Sequence, residues 1–134
     1  MLKKIEEVSQ LSGVSKRTLQ YYDNEGILPA KRSKNNYRLY DEEAMRRLWE
    51  ILWYKEMGFE LNEIKALLNG NNIERVIDDK VRGIDKRIEE LEKQRNMIMY
   101  IKEYHMPVMK EYNKTYKEQI ERIKNKWEMN DTEE

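Results

Sequence analysis

Ser15-Lys16-Arg17-Thr18-Leu19-Gln20-Tyr21-Tyr22 gathers two cations, two hydroxyls and two adjacent tyrosines around one aliphatic side chain. Ser15 has the chemistry of a helix N-cap, a short hydroxyl that can accept from an amide of the next turn. A short helix is therefore expected from Ser15 to about Asn24, with Gly26 ending it. On such a helix Arg17 and Tyr21 share a face, Thr18 lies three and four residues before the two tyrosines, and Leu19 faces inward. Upstream, Ile5, Val8 and Leu11 fall on one face of an earlier helix, which Ser12-Gly13 stops because Gly13 suits a left-handed turn. Helix, glycine turn, helix is the outline of a helix-turn-helix.

Working outward on the other side, Ile27-Leu28-Pro29 leads into a basic, polar segment ending in Tyr37-Arg38-Leu39-Tyr40, whose alternation suits a short strand. Asn35-Asn36 before it can supply the turn of a small hairpin, or wing. Asp41 is placed to cap a helix carrying Ala44, Leu48, Ile51, Leu52 and Lys55, with Glu42 and Glu43 in its first turn and Gly58 at its close. Leu61, Ile64, Lys65, Ala66, Leu67 and Leu68 form another short helix, and Asn69-Gly70-Asn71-Asn72 marks a domain boundary. The pattern then changes. Ile77, Val81, Ile84, Ile88, Leu91 and Ile98 recur alternately four and three apart, interrupted at Arg95, which is a coiled-coil seam with Gly83 as a weak point. One isolated helix cannot bury so narrow a seam, so a second chain is implied. Pro107 should break the helix, and Val108, Met109, Tyr112, Tyr116, Ile120, Ile123 and Trp127 form a last amphipathic stretch, with residues 130–134 frayed.

The 134 residues hold 26 Lys and Arg against 26 Asp and Glu, so net charge alone advertises no polyanionic partner. Its distribution does. Within residues 14–38 six cations, Lys16, Arg17, Lys31, Arg32, Lys34 and Arg38, face only Asp23 and Glu25. No cysteine is present, which excludes disulfides and thiolate chemistry, and the lone His105 cannot build a histidine metal cluster. No metal or other cofactor is expected. The N-terminus lacks the apolar run of a signal peptide and no stretch approaches a membrane span, so the cytoplasm is the expected compartment. There is no phosphate-cradling glycine loop and no Cys/His nucleophile pair, so no enzyme is expected.

Cations and hydroxyls at the start of a helix match what phosphate oxygens and base edges require. Two readings of the tyrosines stand together: they can add a phosphate hydrogen bond and apolar contact with the sugar, or, since helical aromatics are usually core residues, Tyr22, three after Leu19, is half core and Lys16 and Arg17 are merely solvated. The run from Val14 to Leu28, then Lys31-Arg32, then Asn36-Tyr37-Arg38-Leu39-Tyr40-Asp41, then Met57 to Ile64 resembles the DNA-binding domain of the MerR family of bacterial transcriptional regulators. The likeness is collinear over about the first 70 residues. It implies a mainly α protein: a winged helix-turn-helix DNA-binding domain (residues 1–70), a long dimerisation helix forming an antiparallel coiled coil (71–106), and a C-terminal amphipathic helix with a frayed tail (107–134).

The resemblance further implies a homodimer that binds a palindromic promoter and bends and untwists it so that RNA polymerase can engage. Ser15, Lys16, Arg17, Thr18, Tyr21 and Tyr22 match the recognition-helix motif, and Arg32, Tyr37 and Arg38 the wing. Three departures stand out: Gln20 where the family usually has Arg, Asn36 where it has Gly, and Glu60 where a Ser cap is common. Gln20 can read an adenine edge, Asn36 tolerates a left-handed conformation, and Glu60 loosens the last head helix slightly. For an effector, Tyr100, Tyr104, Met106 and Tyr112, with neighbouring Met97, Met99, Met109, Tyr116 and Trp127, could line an apolar pocket, against the plainer reading of a packed stripe. Trp49 and Trp53, four apart, are expected to pack the head against the coil or to serve a protein contact. The competing functional reading is an architectural protein that anchors DNA with the same head.

Overall fold

A computed structural model describes residues 1–131. In chain order the elements are β1 (Lys3–Lys4), α1 (Ile5–Ser12), α2 (Lys16–Asn24), β2 (Lys31–Arg32), β3 (Arg38–Tyr40), α3 (Glu42–Glu56), α4 (Leu61–Leu68), α5 (Ile73–Tyr104) and α6 (Tyr116–Asp131). The fold is mainly helical with a small wing, as expected. Two compact units divide the chain, one of Met1–Lys80 and one beginning at Val81.

Local chemistry explains the helices of the first unit. Gly13 takes φ +75° and its amide donates to the Ser9 carbonyl, which closes α1 as the sequence required. The Ser15 hydroxyl accepts from the Thr18 amide at 3.1 Å and starts α2. Asp41 does the same for α3 through the Ala44 amide at 2.8 Å. At α4 the Glu63 carboxylate accepts from the Glu60 amide at 2.8 Å, and the Glu60 side chain faces the Glu63 amide in return, so a capping box closes this end with Glu where a Ser is common. Lys80 Nζ then lies 2.9 Å from the same Glu63 carboxylate and donates to the Gly58 carbonyl at 3.0 Å, tying the first turns of α5 to this unit.

A single core joins these elements. Val8 of α1, Leu19 and Tyr22 of α2, Ile27 and Leu28 of the following turn, Tyr40 of β3, Leu48 and Ile51 of α3 and Ile64 of α4 are all buried. Leu11, expected on the apolar face of α1, is instead exposed. The sheet has the order β1-β3-β2, antiparallel throughout, with Lys3 opposite Tyr40 and Arg32 opposite Arg38. In the wing turn the Ser33 amide donates to the Tyr37 carbonyl and the Tyr37 amide to the Ser33 hydroxyl, and Asn36 sits at φ +64°, the left-handed conformation its short polar side chain tolerates.

Along α5 every seam residue named above, Ile77 of the first unit and Val81 to Ile98 of the second, is between 42% and 66% exposed. The helix ends at Tyr104, with His105 at φ +67° just before Met106-Pro107. The C-terminal helix expected from residue 107 begins only at Tyr116. Pro107 withholds an amide, and Thr115 makes the true start by accepting the Glu118 amide at 3.2 Å on its hydroxyl. The frayed end expected over residues 130–134 lies in part within α6 and, from Thr132 onward, outside the described residues.

Candidate nucleic-acid interface

The capped start of α2 sorts its side chains by helical geometry. Lys16, Arg17, Gln20 and Tyr21 are exposed, Thr18 is half-buried and Leu19 is fully buried. Lys16 lies 3.8 Å from Glu6, a loose surface pair, while Arg17 has no carboxylate partner among the described residues. Ser15 donates its own proton to Thr18 Oγ1 at 2.9 Å, so both hydroxyls act first within the cap.

The two tyrosines part company. Tyr21 is 48% exposed, whereas Tyr22 is 1% exposed and its hydroxyl accepts from Lys55 Nζ at 3.2 Å. Tyr22 therefore leaves the set of expected contact residues: three positions after Leu19, it follows the inward face of the helix into the core. The opening stretch spends one aromatic inside and one outside.

The wing is held to α2 by one carboxylate that the expectation of contact residues did not include. Asp23 Oδ2 accepts from Arg38 Nε at 2.8 Å and from Arg32 at 3.2 Å, and Asp23 Oδ1 accepts from the Ala30 amide at 3.1 Å. Arg38 also reaches the Asn24 amide oxygen at 3.5 Å, and Arg32 the Asn36 carbonyl at 3.4 Å. Burial by itself raises the Asp23 carboxyl. The bond from Arg38, the Ala30 amide and the two guanidinium charges outweigh it, and the group is held below the ordinary aspartate value. The sequence marks Asp23 only as one of two acids, with Glu25, among the six cations of this window, which does not single it out as the brace.

Arg38, expected as a contact, is mostly buried and engaged by Asp23, so it positions the wing. Arg32 remains 41% exposed at its side chain and Tyr37 is exposed, so both present their outer ends to solvent. Lys31 turns to Asp41 at 3.0 Å. The resulting surface has two prongs, the first turns of α2 and the wing, whose exposed groups are hydrogen-bond donors and cations. Such a surface complements phosphate oxygens on either side of a groove.

In the second unit the expected apolar lining is partly assembled. Tyr100 stacks on Trp127 with ring centres 4.3 Å apart and lies 4.8 Å from Tyr104, and Met106 lines the same cleft. Tyr112 does not join it, being 87% exposed in the turn before α6. Trp49 and Trp53 pack edge to face on one another at 6.0 Å and stay exposed in the single chain. Among the described residues no cluster of three or more His, Cys, Asp or Glu could hold a metal ion, and no helix is long and apolar enough to cross a membrane.

Comparison with known proteins adds to this geometry. Residues 3–71 match the family described as MerR HTH family regulatory protein. The HTH-type transcriptional activator mta of Bacillus subtilis is 44% identical over 72 residues, which is 53% of this chain and only 28% of that protein. The mercuric resistance operon regulatory protein of Bacillus cereus is 34% identical over 115 residues, covering 75% of this chain and 83% of its own length. The crystal structure of MtaN, the N-terminus of the Bacillus subtilis multidrug transporter activator, superposes with a TM-score of 0.63 at 32% identity, over 72% of this chain and 93% of that one.

Proposed function

The chain belongs to the MerR family of helix-turn-helix regulatory proteins, and from that premise we propose that it is a sequence-specific DNA-binding regulator of transcription, acting in the cytoplasm as a homodimer on a palindromic promoter operator. The observation that carries this reading is the pair of basic prongs, Lys16, Arg17, Gln20 and Tyr21 on α2 and Arg32 and Tyr37 on the wing, locked together by Asp23. Phosphate contacts place such a surface on the duplex, and Gln20 and Arg17 are the side chains suited to base edges. Ser15 and Thr18 support them by fixing the first turn.

The exposed seam of α5 supports the second half of the reading. A second copy covers Ile77, Val81, Ile84, Ile88, Leu91 and Ile98 and sets the distance between two heads, which fixes the spacing of the half-sites. Contacts from both heads offset the cost of bending the operator, about 1–6 kcal/mol for a site of this size, and the distorted promoter is then presented to RNA polymerase. Selection of duplexes from a random library, followed by titration of the winner in varied salt, tests the proposal. A palindrome bound at least about a thousandfold better than random competitor is expected. Equal affinity for operator and competitor would overturn it.

A further inference from the structure

The second unit contains a cleft that the DNA-facing prongs do not use. The last turns of α5, the turn over residues 105–115 and α6 enclose about 560 Å³, within the usual size of small-molecule sites. Its floor is made by Met97, Ile101, Ile120, Ile123 and Trp127. No carboxylate lines it. An adjoining recess of about 570 Å³ shares Ile123 and Trp127 with it and opens among Lys110, Arg122 and Lys126.

The walls are braced within the chain. Gln119 donates to the Glu111 carbonyl at 2.7 Å and the Lys114 carbonyl at 3.1 Å, and accepts from the Glu111 amide at 3.3 Å, so one side-chain amide pins the turn to α6. The Tyr100–Trp127 stack joins α5 to α6 beside it. A cleft fixed in this way needs little ordering when it is filled.

Charge selects the occupant. The single acid lining the recess, Glu111, is engaged by Lys114 at 3.5 Å and Arg122 at 3.4 Å. Lys110 and Lys126 pair with no carboxylate among the described residues. The one cation lining the apolar cleft itself, Lys124, is taken by Glu121 at 3.4 Å, so the unpaired ammonium groups are those of the adjoining recess; an apolar floor that opens onto such a recess suits a molecule that is apolar along its body and anionic at one end. We propose that this cleft binds a hydrophobic carboxylate, its body among the Met and Ile side chains and its head beside Lys110 and Lys126. Methionine side chains adapt to the shape of the body, and the charged head gains charge-assisted hydrogen bonds. A neutral analogue would use the floor alone, and a hydrophobic cation would meet like charge.

The test uses the whole chain. Dodecanoate, its methyl ester and dodecylammonium, each below the concentration at which it forms micelles, are titrated calorimetrically into the protein. Dodecanoate is expected to bind once per chain and about tenfold or more tighter than the ester, with the ammonium weakest. Lys110→Met combined with Lys126→Met should remove that preference while leaving the ester unchanged, and Ile123→Trp, which fills the floor, should weaken acid and ester alike. The lysines are exposed, so their replacement leaves the fold intact even if the filled variant does not fold. No binding of dodecanoate, as when a second copy of the chain covers the cleft, would overturn the proposal. So would equal affinity for acid and ester, uptake of several molecules per chain, or a preference that survives loss of both lysines. Operator affinity measured on the same preparations separates this outcome from the fate of the DNA-binding reading.

Discussion

Asp23 shows how one side chain turns two local structures into one surface. Its carboxylate receives the wing through Arg38 and Arg32 and the intervening turn through the Ala30 amide. Asp23→Asn keeps the shape and loses the charge. At neutral pH it should lower stability by about 1.5–3 kcal/mol, the range for a bond to a charged group. The sign of the pH dependence follows from the direction of the shift. The folded group lies below the unfolded aspartate value of about 3.9, so its contribution is complete above that value and is lost as the pH falls through the folded one. Urea unfolding of both proteins at neutral pH and near pH 3 checks this: the gap between them should narrow in acid, and a constant gap would mean that the carboxylate is not the brace. Operator affinity should fall as well, because Arg32 and Tyr37 lose their setting. At this scale the sequence was legible where a dihedral or a cap is decided by its own neighbours, as at Gly13, Ser15, Asn36 and Asp41. It was not legible at Asp23, whose partners arrive from the wing, nor in the division between Tyr21 and Tyr22, which the core settles.

Among the elements, α5 is the one whose sequence and structure leave a demand unmet. It has no buried residue, yet carries an apolar line on one side. Replacing Ile88 and Leu91 by Asp puts charge into that line at the place where a second helix would close over it, and charge in a dry seam is costly. The first unit has its own core from Val8 to Ile64, so the double variant should keep its far-ultraviolet spectrum while sedimenting as a monomer. An intact dimer would move the main contact elsewhere, with the exposed Trp49–Trp53 pair the first place to look. The long helix was readable because its period repeats over many turns. β1 was not, since two lysines carry no period and become a strand only because β3 offers an edge. The late start of α6 was missed for a related reason: Val108, Met109 and Tyr112 have helical spacing, but Pro107 and the Thr115 cap decide where helix begins.

At the scale of the whole molecule, the proposed dimer, with two identical heads on one strut, can bind through both only if the half-sites face the same side of the duplex. Their affinity is then governed by geometry as much as by contacts, because a second head that is already tethered binds at high effective concentration. Inserting about five base pairs between the halves of the operator turns one of them through roughly half a helical turn, to the opposite face. The full chain should then bind no better than it binds a single half-site, and its salt dependence should become shallower as one head's phosphate contacts are lost. Inserting a full turn of about ten base pairs restores the facing but not the distance, and a stiff strut predicts that binding stays weak there too. Recovery with the full turn would mean that the connection between the heads is pliable, and that distortion of the promoter could not be driven through it. Arg17→Ala gives the matching control: it should weaken the intact operator and the half-site by the same factor per head and relax the preference for operator over competitor. Gel-shift titrations over a range of salt, on these four duplexes and both proteins, distinguish a rigid two-headed grip from two independent ones.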